Sequence, residues 1–556
     1  MYSNKDNVNI LTALLVKWGV EYAVVCPGSR NAPIVHNLNE CPEIDCFPVT
    51  DERSAGFFAL GLSQIDDGPV AVCVTSGSAL LNVAPAAAEA LYQHRKLIII
   101  SADRPACMID QLQGQTLHQP NALRDFVRKA VNLPEPHDDI ERWYCNRLIN
   151  EAFIEMQRGE GGPIHINVPI SEPLFEFSVE SLPDERAILP HLAEFNFYTQ
   201  PDVAEDFKKA KRPMIIIGQT KAENFEGADN QLADLEEYAV VLYEKLGHDY
   251  YTPPAHIDKM LLMIEEEEED YLPDFIIYIG GHLVSKRIKQ FLRKAKSART
   301  VIVNRDGILY DVFMNATEVL QSTLVETLSA LALAVNAKKP TAYHDKWDTL
   351  KQNCIAFCES YEPDFSQMSA VRLLCKNIGK TNCVLQFANS MAVRLGLIYA
   401  SQYIYVNRGV NGIEGCLSTA AGLACGIEDL VFCVIGDLSF FYDQNALWNQ
   451  NLTSNLRILL LNNGGGGIFG QLSGLQESPA SENYIMAAHN TTAEGICEEN
   501  NIKYYAAYNN EQLAEGIEAL TAPNSMVPIL LEVFTEREED ERVLRDYLFG
   551  DKKKLN

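Results

Sequence analysis

The chain has 556 residues, 47% of them hydrophobic, enough for three or four packed domains at about 150 residues each. Its formal net charge is −29, from 46 basic and 75 acidic residues, which argues against nucleic acid or anionic lipid as a partner, because phosphate binding needs clustered Lys and Arg. The first residues lack the charged start, apolar middle and small-residue cleavage site of a signal peptide, no window approaches the roughly 18 uncharged apolar residues of a membrane span, and the 14 scattered cysteines contain no CxxC pair, so buried thiols in a reducing, cytoplasmic setting are expected.

Taken in chain order, short apolar runs end in Gly, Ser or Pro turns and give way to helical stretches. The first series is 22-YAVVCPGSR, 69-PVAVCVTSGSALLNVAPAAAEALY and 96-KLIIISADRP; the second is 213-PMIIIGQT and 274-DFIIYIGGHLVSKRIKQFL; the third is 382-NCVLQFANS, 429-DLVFCVIGDLS and 456-LRILLLNNGG. Uninterrupted β-branched runs predict parallel strands covered on both faces, and their alternation with helices predicts doubly wound α/β units. Two weakly patterned stretches, 171–200 and 337–364, read as linkers, which gives three α/β domains over about 1–180, 195–335 and 350–556. The acidic run Glu265–Asp270 reads as a solvated surface segment.

Ligands of open parallel sheets bind beyond the carboxyl ends of the strands. The turns that fall there are Cys26-Pro27-Gly28-Ser29-Arg30, Thr75-Ser76-Gly77-Ser78, Ala102-Asp103-Arg104-Pro105, Ala388-Asn389-Ser390, Gly436-Asp437-Leu438-Ser439 and Asn462-Asn463-Gly464. They belong to the first and third domains, so the site is expected between those two. Asp437 and Asn463 end neighbouring strands 26 residues apart. A carboxylate, an amide oxygen and a glycine carbonyl beyond Asn463 are hard donors that suit Mg²⁺, a cation that usually keeps few protein ligands and shares phosphates. The glycines Gly464 to Gly467 are expected to let backbone approach the metal and a diphosphate, and the amides after Gly436, at Leu438 and Ser439, to meet the same anion.

This Gly-Asp to Asn-Asn spacing resembles the thiamine-diphosphate motif. Further stretches resemble the thiamine-diphosphate-dependent 2-succinyl-5-enolpyruvyl-6-hydroxy-3-cyclohexene-1-carboxylate synthases: 26-CPGSRNAP, 50-TDERSAGFFALGL, 75-TSGSALLNVAPAAAEA, 102-ADRP, 407-NRGVNGIEGCLSTAAG, 436-GDLSFFYDQNAL and 462-NNGGGGIF. Ala388 and Ser78 stand where that family often has Gly and Thr. The resemblance implies a pyrimidine-binding, a middle and a diphosphate-binding domain. It implies a cytoplasmic transferase of menaquinone biosynthesis that decarboxylates 2-oxoglutarate and adds the succinyl carbanion to isochorismate in conjugate fashion. It also implies thiamine diphosphate with Mg²⁺ or Mn²⁺ as cofactors, and a homodimer or homotetramer with sites at the subunit interface.

By the same resemblance, Glu52 would bond the aminopyrimidine N1′ as the catalytic carboxyl, in an apolar setting that helps it share a proton. Ile413 would wedge the cofactor into a V, Gly412 would offer a carbonyl, and Asn82, Asn389, Gly436, Leu438 and Ser439 would complete its cradle. Asp437, Asn463 and Gly465 would hold the metal. Ser390, Arg394 and Arg408 would hold the keto acid; Arg30, Arg104, Gln115, Lys286 and Arg287 would hold isochorismate, beside Ile468 and Phe469. Both substrates are dicarboxylates, so an acidic protein must gather its cations locally, and arginine pairs two oxygens at once. Another keto-acid carboligase such as an acetohydroxyacid synthase, or a non-catalytic protein on this fold, stands as the alternative. The arginine set argues against the first, and Glu52, Asp437 and Asn463 together against the second. The helix at 54-SAGFFALGL is expected to pack partly against a partner chain.

Overall fold

The computed structural model describes residues 1–190, 201–248, 255–335, 340–379, 382–471 and 474–550, and they build three parallel sheets. The first contains β1 (Tyr22–Val25), β2 (Asp45–Pro48), β3 (Val70–Val74), β4 (Leu97–Asp103), β5 (Lys129–Asn132) and β6 (Ile164–Pro169), in the order β2-β1-β3-β4-β6-β5. The middle sheet contains β7 (Pro213–Ile217), β8 (Val240–Tyr243), β9 (Phe275–Ile279), β10 (Arg299–Asn304) and β11 (Glu318–Gln321), in the order β11-β10-β9-β7-β8. The third contains β12 (Cys383–Phe387), β13 (Ile404–Val406), β14 (Leu430–Gly436), β15 (Leu456–Asn462), β16 (Lys503–Ala507) and β17 (Ile529–Phe534), in the order β13-β12-β14-β15-β17-β16. The expected architecture of three α/β domains, each on a parallel sheet, is therefore present.

Central strands are apolar throughout because helices cover both faces. Every residue of β3, β4, β9 and β15 is buried. Alternate side chains feed different cores: Val70, Val72 and Val74 join the cluster that continues through all three domains, whereas Ala71 and Cys73 join one confined to the first.

Of the predicted linker 337–364, residues 337–339 lie outside the described residues, and the rest is not the linker its polar start implied. Ala342–Ser360 is a 19-residue helix, N-capped by Thr341, that buries Tyr343, Trp347, Leu350, Cys354 and Cys358. Those residues recur every three to four positions, the helical period, and the polar residues between them masked it. In the other predicted linker, 191–200 lies outside the described residues. The segment before it folds back on the first domain, where Val179 bridges to Tyr2 and the amides of Asn146 and Asn150 hold the Arg186 carbonyl.

The first and third domains of one chain meet along two helices, Glu52–Leu62 and Cys416–Cys425. A Cβ on Gly61 would stand 2.1 Å from the Thr419 carbonyl oxygen, and one on Gly422 would stand 2.0 Å from that of Phe58. Glycine here is a requirement of backbone-to-backbone approach. Ser54 to Leu62 are all buried within this single chain. The expected packing of this helix against a partner chain is therefore corrected: its apolar faces are already covered, largely by the third domain.

Candidate active site

The C-terminal tips of β14 and β15 form the corner that the motif foretold. Gly436 ends β14, and Asp437 begins the helix Asp437–Tyr442. Its buried carboxylate accepts from Leu438 N at 2.6 Å, Asn463 N at 3.2 Å and Gly465 N at 3.0 Å. Burial raises the affinity of this carboxyl for its proton, and these backbone donors and the nearby His489 oppose that shift. Asn463 gives its side-chain N–H to Asp540, and among the described residues no donor is directed at its Oδ1.

Gly464 and Gly465 have φ of 74° and 155°, which favours glycine. What crowds them was not foreseen. Cβ atoms there would lie 2.9 Å from the His489 carbonyl oxygen and 2.8 Å from that of Met486. The returning segment 486–489 presses on them and gives a second reason for glycine here. No cluster of three His, Cys, Asp or Glu exists among the described residues. The Asp437–Asn463–Gly465 set needs none, because one carboxylate, one amide oxygen, one carbonyl and a diphosphate meet the hard-donor requirement of Mg²⁺.

The loop of Gly412 and Ile413, the expected wedge, lies beside this corner. Ser439 Oγ donates to the Ile413 carbonyl at 2.5 Å, and the Ile413 side chain is 42% exposed, available to a ligand rather than packed in a core. Asn389 is buried behind the loop: its amide donates to the carbonyls of Asn407 (2.6 Å) and Gly412 (2.9 Å), and its Oδ1 accepts from Arg408. Thus Asn389 shapes the loop from within. The loop is also gripped from the first domain, since Glu89 accepts from Gly409 N at 2.6 Å and Val410 N at 2.7 Å. Glu89 was missed; its signal was a lone acid inside the apolar helix Ala84–Tyr92.

Ser390 has φ 71°, unusual for a residue with a side chain. It starts the helix Met391–Tyr399, and its carbonyl accepts from Arg394 at 2.6 Å. Burial lowers the pKa of both Arg394 and Arg408, and Arg394 lowers that of Arg408 further. Two desolvated guanidinium groups that repel one another favour an anion between them. Arg394, Lys286, Arg287 and Ile468 line a cavity of about 380 Å³ between the middle and third domains, together with Glu244 and Asp258. Lys286 and Arg287 reach it because Ser285 caps their helix and Glu244 holds the Val284 and Ser285 amides. Phe469 lies against Gly466 in the same turn as Ile468.

The first-domain tips gather the other cations. Arg30 is buried and donates to the Ile170 carbonyl and to Glu172. Arg104 donates to the Gly114 carbonyl, next to Gln115, whose own φ is 60° and whose chain abuts Gly77. Asn82 ends the short helix Ser78–Asn82 and is exposed. Among the described residues, the lining of the cavity that holds Lys286, Arg287 and Arg394 does not include Arg30, Arg104 or Gln115. One chain therefore presents the predicted anion ligands as two separate groups.

Glu52 opens the helix Glu52–Leu62, capped by Asp51. Both its neighbours bond the third domain: Asp51 accepts from Asn445 at 2.7 Å, and Arg53 donates to the Tyr442 carbonyl at 2.9 Å.

Residues 6–123 match the family described as thiamine pyrophosphate enzyme, N-terminal TPP binding domain. Over the whole chain, proteins named 2-succinyl-5-enolpyruvyl-6-hydroxy-3-cyclohexene-1-carboxylate synthase are similar. That of Bacteroides thetaiotaomicron is 45% identical, covering 98% of this chain and 99% of its own. That of Phocaeicola vulgatus is 43% identical over 100% of both, and that of Desulfotalea psychrophila is 35% identical over 96% and 98%. The chain belongs to the thiamine-diphosphate-dependent 2-succinyl-5-enolpyruvyl-6-hydroxy-3-cyclohexene-1-carboxylate synthase family.

Proposed function

We propose that this transferase decarboxylates 2-oxoglutarate and adds the four-carbon remainder to isochorismate, a step of menaquinone biosynthesis. The observation that carries the reading is the desolvated pair Arg394 and Arg408 beside the Asp437–Asn463 corner. A pyruvate-specific carboligase has no second carboxylate for such a pair. When bound, thiamine diphosphate supplies the nucleophilic carbon and the electron sink. Asp437, Asn463 and the Gly465 carbonyl hold Mg²⁺ or Mn²⁺, and Gly436, Leu438 and Ser439 meet the diphosphate. Ile413 and Gly412 shape the cofactor, and Glu52 shares a proton with its pyrimidine, with Asn82 alongside. Ser390, Arg394 and Arg408 orient the keto acid. Arg30, Arg104, Gln115, Lys286 and Arg287 orient isochorismate against Ile468 and Phe469.

We further infer a dimer, or a tetramer of two dimers, because the isochorismate ligands form two groups within one chain and a two-fold partner can unite them. Leu81, Tyr92, Val410, Tyr442 and Trp448, all exposed apolar residues around the first and third domains, support such an interface. The domain assignment follows: pyrimidine-binding over 1–180, middle over 195–335 and diphosphate-binding over 350–556. No helix among the described residues is long and apolar enough to cross a membrane, and the free thiols, of which only Cys107 is exposed, accord with a reducing cytoplasm. The decisive experiment is a product assay with 2-oxoglutarate and isochorismate. Turnover of pyruvate in preference to 2-oxoglutarate would overturn the reading.

A further inference from the structure

We propose that Asp540 is a positioning residue for the metal site: by taking the side-chain N–H of Asn463 it leaves Asn463 Oδ1 as the face that meets the cation. The inference rests on the reading of Asn463 as a metal ligand. A carboxamide is ambivalent, since its oxygen and its NH₂ occupy almost the same space and exchange on a half-turn. Only the oxygen binds a hard cation; the NH₂ turned toward it would repel. Something must therefore fix the half-turn.

Asp540 does so through acceptors alone. Its Oδ2 accepts from Asn463 Nδ2 at 2.9 Å and from Thr535 Oγ at 2.8 Å, and its Oδ1 accepts from Gln367 N at 2.8 Å. An ionised carboxylate offers no hydrogen, so Asn463 can face it only with NH₂. The carboxylate is itself held in place. Thr535 follows β17, whose Phe534 pairs with Asn462, Gln367 begins the helix Gln367–Ile378, and Asp540 sits in the first turn of the C-terminal helix Arg537–Phe549. The backbone amide of Asn463 is meanwhile bound to Asp437. Main chain and side chain of Asn463 are thus fixed by two different carboxylates, Asp437 in front and Asp540 behind. Groups that orient a metal's ligands typically contribute 10- to 100-fold to its affinity.

The test is isothermal titration of Mg²⁺ into protein saturated with thiamine diphosphate, for wild type, Asn463→Ala, Asp540→Ala, Asp540→Asn and the Asn463→Ala/Asp540→Ala double variant, each checked for folding by circular dichroism. Asp540→Ala should weaken Mg²⁺ binding at least about tenfold, yet add less than about twofold in the Asn463→Ala background, because the two residues act as one unit. Should Asp540→Ala fail to fold, Asp540→Asn decides. Its single oxygen must serve the immovable Gln367 N–H, so its NH₂ faces Asn463, which turns its oxygen away from the metal. Wild-type Mg²⁺ affinity in a folded Asp540 variant, or an equal further loss on top of Asn463→Ala, overturns the proposal while Asn463 stands as a ligand. Wild-type affinity in Asn463→Ala overturns both.

Discussion

The first and third sheets are wired alike. Counted from its own first strand, each runs 2-1-3-4-6-5, yet their strand tips carry different chemistry. After its third strand the first domain places Thr75 to Ser78, with Gly77 at φ 79°. The equivalent strand of the third domain ends in Gly436 and is followed by Asp437. Wiring therefore decides where a ligand can dock, and a few tip residues decide what the dock does. On the function proposed above, the tips of the third domain bind and anchor, while in the first Glu52, two residues after the Thr50 turn that follows β2, handles protons.

The sharpest way to break this division is Asp437→Ala. It removes the carboxylate proposed to hold the metal, and metal-dependent thiamine-diphosphate binding should vanish. Unchanged affinity by titration calorimetry would remove the anchoring role from the third domain. Glu52→Gln probes the other half. Cofactor affinity should persist while turnover falls by at least the roughly 10²- to 10⁴-fold typical of a positioned acid/base group; near-normal turnover would strip the first domain of its role. Mixing these two inactive variants under subunit exchange asks whether the halves meet across chains. Each heterodimer then holds one intact site and one doubly damaged site, so random exchange should restore about a quarter of the wild-type sites. Proven exchange without activity would assign both halves to a single chain, whose first and third domains already touch.

The smallest expected effect sharpens that contact. Asp443 holds Ser418 N at 2.7 Å and Ser418 Oγ at 2.8 Å, beneath the seam of the two domains. Burial pushes its carboxyl from 3.8 up to about 6. Between these values the folded protein keeps a proton that the unfolded chain has lost, so stability falls as pH rises through the window, by roughly 3 kcal/mol at most. Denaturation midpoints measured from about pH 4 to pH 7 should lose that slope in Asp443→Asn. A slope identical to wild type would assign the pH dependence elsewhere.

What the sequence revealed was local. Gly-Asp and Asn-Asn at strand ends betray a corner because both the strand and its tip lie within a few residues. The helix Ala342–Ser360 escaped notice because charged residues between Tyr343, Trp347 and Leu350 diluted its period. The tie of Glu89 to Gly409 and that of Asp540 to Asn463 are contacts between distant segments, and periodicity carries no information on them. The glycine run was legible as a close approach, but its neighbour, the backbone at Met486 and His489, was not.

The seam between Gly61 and Gly422 has a consequence for how the protein breaks. Where side chains interdigitate, a joint can loosen by degrees as rotamers shift. At Gly61 and Gly422 main chain meets main chain, and no rotamer change can relieve the contact there. Such a joint is either seated or parted, since tightly packed interfaces switch between discrete states rather than deform continuously. Under heat or load it behaves as a fracture plane, not a hinge. One added methyl group at Gly61 is a wedge driven into it, and the damage would be felt as far away as the wedge loop that both domains hold.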